Sequence, residues 1–149
     1  MLADDERLLL AAELTAVLEQ VASSPIAAEY AALREAVERG EVPEALERPL
    51  EVLLETSLAS GRIRRVHLAH GEMAANRLFQ RTGRGREIRE QLDAVNEGLR
   101  GIAGQTLGSV AFAPRTPGSY SLTIETDRAR VAIVVGPGGV RVQSIEVGG

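Results

Sequence analysis

Cysteine is absent from this chain, which excludes disulfides, thiolate metal sites and a cysteine nucleophile and fits a reducing compartment. Lysine is absent too: all 17 Lys/Arg positions are arginine, so Schiff-base chemistry and a phosphate-loop lysine are excluded. Tryptophan is missing, and the aromatic residues are only Tyr30, Phe79, Phe112 and Tyr120. The core must therefore be built from Leu, Val, Ile and Ala, and stacking platforms for single-stranded nucleic acid are scarce. Long apolar runs are missing as well. The run from Leu8 to Ala12 stops at Glu13, and no window approaches the roughly 18 apolar residues of a membrane helix. Asp4, Asp5 and Glu6 stand where an export signal carries positive charge. These absences predict a cytoplasmic protein with no membrane partner and no cofactor.

Charge is present but unevenly spread. The net value is −4 over 149 residues. Residues 1–60 hold thirteen acids against four arginines, whereas residues 61–100 hold nine arginines against five acids. An acidic half followed by a basic segment suggests that the two face each other, within one chain or between subunits. Two solvated helix faces would give the same pattern.

Up to residue 103 the apolar period is helical. Leu10, Leu14, Val17, Leu18 and Val21 form a stripe on a first helix from about Asp4 to Val21, with acids at its positive end. Ser24 and Pro25 read as N-cap and first-turn residue of a second helix carrying Ile26, Tyr30, Leu33 and Val37, with Gly40 just past its end. Pro43 opens a third helix with Leu46, Leu50, Leu53, Leu54 and Leu58, and Arg48-Pro49 implies a kink or a late start. A fourth helix, Arg62 to Gln80, carries Ile63, Val66, His70, Met73 and Ala74 along one stripe. A fifth, Gly85 to Ala103, places Ile88, Leu92, Val95, Leu99 and Ile102 on one continuous seam.

From Thr106 the period becomes two. Val110 and Phe112 alternate, a loop is expected from Pro114 to Gly118, and Tyr120, Leu122 and Ile124 then alternate with polar residues. A turn at Thr126-Asp127 leads into Val131, Ile133 and Val135, and a second at Gly136 to Gly139 leads into Val140 and Val142. The alternation slips at Gln143-Ser144, which implies a bulge. The predicted fold is α+β: an N-terminal antiparallel bundle of four or five helices, then a four-stranded antiparallel β-meander packed on the last helix. Residues 1–82 form the helical region and 83–149 the last helix plus meander, together one compact domain.

Few residues carry chemistry. His67 and His70 are weak metal candidates, since i and i+3 imidazoles share a helical face. Glu72 points elsewhere and a third ligand would have to come from Glu51 or Glu55, so no metal site is expected. The plainer expectation makes His70 a half-buried core residue and His67 the partner of a carboxylate. Arg65 and His70 also stand in an Arg-x4-His spacing similar to that of the helical ribonucleases called HEPN. That resemblance implies His70 as acid/base and Arg65 as phosphate holder in an RNA-processing enzyme, although a meander has no place in that fold. Arg81, Arg84 and Arg86 enter a helix N-terminus beside two glycines, an arrangement that favours anions. Arg62, Arg64 and Arg65 would extend the patch toward nucleic acid or a phosphate ligand. The Gly136 to Gly139 run stands between strands and reads as a turn, and no Ser/His/Asp set can be assembled.

The leucine-rich helices, the seam and the charge asymmetry point to a non-catalytic interaction or oligomerisation module. Its partner is a second copy or another protein, and the interface candidates are Ile88, Leu92, Val95 and Leu99. Nucleic acid is the alternative partner and is not favoured, because the chain is acidic and poor in aromatics.

Overall fold

Helices and strands do not interleave along the chain. In the computed structural model, which describes residues 1–148, five helices come first: α1 (Asp4–Val21), α2 (Ala27–Arg39), α3 (Glu47–Ala59), α4 (Arg62–Arg81) and α5 (Gly83–Arg100). Four strands follow: β1 (Leu107–Thr116), β2 (Ser119–Thr126), β3 (Ala129–Gly136) and β4 (Gly139–Val147), paired antiparallel in the order β1-β2-β3-β4. The fold is α+β, as the change of period predicts. The chain divides into two compact units, Met1–Gly85 and the residues from Arg86 onward, and the division falls within the first turn of α5.

The helical unit is built on α1, α2, α3 and α4. Leu10, Leu14, Leu33, Leu54 and Ile63 are fully buried at its centre, with Leu50, Leu53 and Leu78 beside them. Gly40 ends α2 in the left-handed region at φ 88°, its N–H bonded to the Ala36 and Val37 carbonyls, a conformation that a side chain disfavours. One local expectation is corrected, and the late start of the third helix is met. α2 begins at Ala27 with Ile26 as its cap, because Ser24 uses its backbone carbonyl to close a turn on Ala27 N–H. A 3₁₀ turn at Glu44–Leu46 delays α3 to Glu47, so Pro49 lies in the first turn, where its missing N–H costs nothing.

The α4 stripe also differs from expectation. Leu68 has φ 58° and ψ −161°, so α4 is two helical pieces joined at a break. The break shifts the helical phase. Ile63 stays buried, but the second piece buries Ala74, Ala75 and Leu78, while Val66, His70 and Met73 are exposed. Gly71 is required here, because a Cβ at that position would collide with His67 Cβ and lie 3.3 Å from Leu9 Cδ1.

In the sheet unit, Val95 of α5 joins Val131 and Ile133 in a small core, with Leu99, Ile102, Leu122, Val140 and Val142 packed around it. Gly98 brings helix and strand close, since a Cβ there would sit 3.2 Å from Val142 Cγ2. Gln91 ties α5 to the β3–β4 turn: its Oε1 accepts from Val140 N–H at 3.2 Å and its Nε2 donates to the Gly138 carbonyl at 3.4 Å. Gln143 is the bulged residue of β4, since Ala132 pairs with Ser144 and Ile133 with Val142. β1 runs through Pro114 to Thr116 and turns in two residues, where a longer loop was expected.

Candidate interaction surface

The arginine-rich segment and the acidic helices meet inside the helical unit. Glu13 on α1 is buried, and its two carboxylate oxygens take Arg62 Nε at 3.0 Å and His67 Nε2 at 2.9 Å. About two turns earlier on α1, buried Glu6 holds Arg81 at 2.6 Å, and Asp5 holds Arg77. That hydrogen bond from Arg77 keeps the Asp5 carboxyl below the usual carboxylate range. α3 supplies a third set of carboxylates at one face. Glu47 accepts from Gly83 N–H, Glu51 accepts from Arg84 N–H at 2.7 Å, and Glu55 lies 3.6 Å from Arg84 Nε. Thr82 caps the same end, its Oγ1 accepting from Gly85 N–H at 3.1 Å. The helix N-terminus that reads as an anion site in the sequence thus receives the chain's own carboxylates.

The remaining candidates separate. Arg64 pairs with Glu72 at 2.6 Å on the surface. Arg65 and Arg86 are exposed. His70 is exposed, which corrects its assignment to the core, whereas His67 does partner a carboxylate. The break at Leu68 lies between His67 and His70, and also between Arg65 and His70. Neither pair therefore shares the regular helical face that its spacing presumes. No group of three or more His, Asp or Glu suited to a metal occurs among the described residues.

The four seam residues of α5 part company as well. Val95 is buried and Leu99 packs on it, while Ile88 is half-buried and Leu92 is 47% exposed. An open apolar area of the sheet unit lies elsewhere. The cross-strand rows Val110–Ile124–Val131–Ile145 and Phe112–Leu122–Ile133–Val142 define one apolar face. Burial on it rises from β1 to β3: every residue of β1 is exposed, β2 is mostly half-buried, and Val131 and Ile133 are core. Leu107 (60%), Val110 (56%), Phe112 (62%) and Tyr120 (44%) stand open, and the Phe112 and Tyr120 rings stack with centroids 5.7 Å apart. A groove of about 570 Å³ runs between α5 and β4, walled by Gly98, Gly101, Val140, Val142 and Ile145. The sequence pointed to α5 because its seam is regular. The alternation of β1 carries the same apolar signal as β3, and only the position of the covering helix distinguishes them.

Fold and surface together define a small α+β protein with an uncovered sheet edge. No protein-family model, curated protein or solved structure matches the chain.

Proposed function

We propose that this protein is a non-catalytic oligomerisation module whose partner is a second copy of itself, docked along β1 at the open edge of the sheet. The observation that carries the reading is β1, a ten-residue strand exposed along its whole length with Leu107, Val110 and Phe112 open on one face. Exposed apolar area of this kind marks an interaction site in a folded protein. A nucleic-acid role for the Arg62–Arg86 segment has weaker support. Arg62, Arg81 and Arg84 are held by carboxylates of the same chain, and the net charge of −4 opposes a polyanion.

Light scattering on the purified chain tests the reading. The wild type should have the mass of two chains, and Phe112→Glu, with unchanged circular dichroism, the mass of one. A charge placed in the contact should weaken association by about tenfold or more. A wild type that stays at one chain mass at every concentration overturns the proposal. Sub-micromolar binding to random-sequence DNA or RNA near about 150 mM salt would transfer the role to the arginines.

A further inference from the structure

We infer that the second copy docks by antiparallel pairing of β1 with β1 of its mate, about a two-fold axis at Ala111, joining two four-stranded sheets into one. The inference rests on the oligomerisation reading above and names its geometry.

The register of the meander identifies the free backbone groups. Two-residue turns make Thr116↔Ser119 and Gly136↔Gly139 directly hydrogen-bonded pairs. From the second turn, even-numbered residues of β3 bond β4 and odd-numbered ones bond β2. Their partners Tyr120, Leu122 and Ile124 therefore bond β3, and Ser121, Thr123 and Glu125 bond β1. The first turn gives the same alternation independently. Ser109, Ala111 and Ala113 are thus the β1 residues paired with β2, and Val110, Phe112 and Pro114 direct their backbone groups outward. Pro114 fits this placement, because a strand proline belongs where its missing N–H faces solvent.

Those outward groups select one register. With the axis at Ala111, Val110 faces Phe112 of the mate and Phe112 faces Val110, so both residues exchange two full hydrogen bonds. With the axis at Phe112, the missing proline donor would fall opposite Val110 in the middle of the pairing, whereas the Ala111 register puts Pro114 opposite Gly108, at the irregularity where regular pairing already ends. The Ala111 register also keeps side-chain parity, so the apolar face of one sheet continues into the other and each half gains an aromatic–β-branched cross-strand pair. Charge permits it: Arg115 is the one charged residue in 107–116, and it falls opposite Leu107 rather than its own copy. The two edges of the sheet differ in this respect. β4 carries Arg141 and Glu146 and a bulge at Gln143, devices that block edge pairing. β1 confines its irregularities to its ends, between Leu107 and Ser109 and between Pro114 and Thr116, and leaves a neutral, regular stretch between them.

The absence of native cysteine makes the register directly readable. On the axis, Ala111 meets its copy in a non-hydrogen-bonded pair with Cα atoms about 4.5 Å apart, within disulfide reach. Ala111→Cys should form a covalent dimer almost completely under mild oxidation. Ala113→Cys alone, opposite Ser109, should not, and the Ser109→Cys/Ala113→Cys double variant should. Val110→Pro provides a second readout, since the Val110 N–H serves no bond to β2. It should keep the sheet signal and weaken self-association about tenfold or more. A wild type of two-chain mass in which Ala111→Cys fails to cross-link and Val110→Pro associates normally overturns β1 pairing and leaves oligomerisation standing. A wild type of one-chain mass overturns both.

Discussion

Glu13 is the residue on which the polar part of the helical unit depends. Its side chain is 2% exposed and takes two partners from α4, the Arg62 guanidinium and the His67 imidazole. A buried carboxylate of this kind does not gain stability over an apolar pair, but removing one partner leaves charge without compensation. Arg62→Ala should therefore cost about 3 kcal/mol in urea unfolding, the lower end for a broken buried pair, because His67 remains and Arg62 is itself partly exposed. Arg64→Ala, which breaks only the surface contact with Glu72, should cost about 0–1 kcal/mol. Equal costs for the two would mean that Glu13 is more hydrated than its burial implies. The charge asymmetry of the sequence pointed to this contact between acidic and basic segments. It could not assign the pairs, because thirteen acids and nine arginines admit many pairings.

Among the elements, α4 and α5 depart furthest from their sequence patterns. Leu68 occupies a backbone region that is essentially reserved for glycine, at a cost of about 1–3 kcal/mol, and its side chain is exposed. Leu68→Gly should accordingly raise stability by roughly 1 kcal/mol, read as a higher urea midpoint. A loss of stability would mean that the leucine side chain holds the break in place. On α5, Leu92→Asp should leave the sheet unit folded, while Val95→Asp buries a charge among Val131 and Ile133 and should abolish its cooperative transition. The strands were more legible than the helices. Period-two alternation located all four, and the slip at Val142 to Ile145 located the bulge at Gln143. The loop expected at Pro114 failed for a physical reason: proline marks a break only where its N–H would be needed, and on an edge strand it is not. Nothing at Leu68 signals a break, since leucine is a good helix former, so the phase of the second half of α4 was invisible.

At the scale of the whole molecule, topology has a consequence for synthesis. All the packing of the helical unit is complete by Gly85, so that unit can fold while the strands are still inside the ribosome, as N-terminal units commonly do. Each strand then pairs only with its immediate neighbour in the chain, across two-residue turns at Pro117-Gly118 and Pro137-Gly138. The meander can therefore close hairpin by hairpin, with little loop-closure entropy at any step. β1 is the first strand to emerge and has both edges open at that moment. β2 closes one of them within the same chain, and no later segment of the described sheet closes the other.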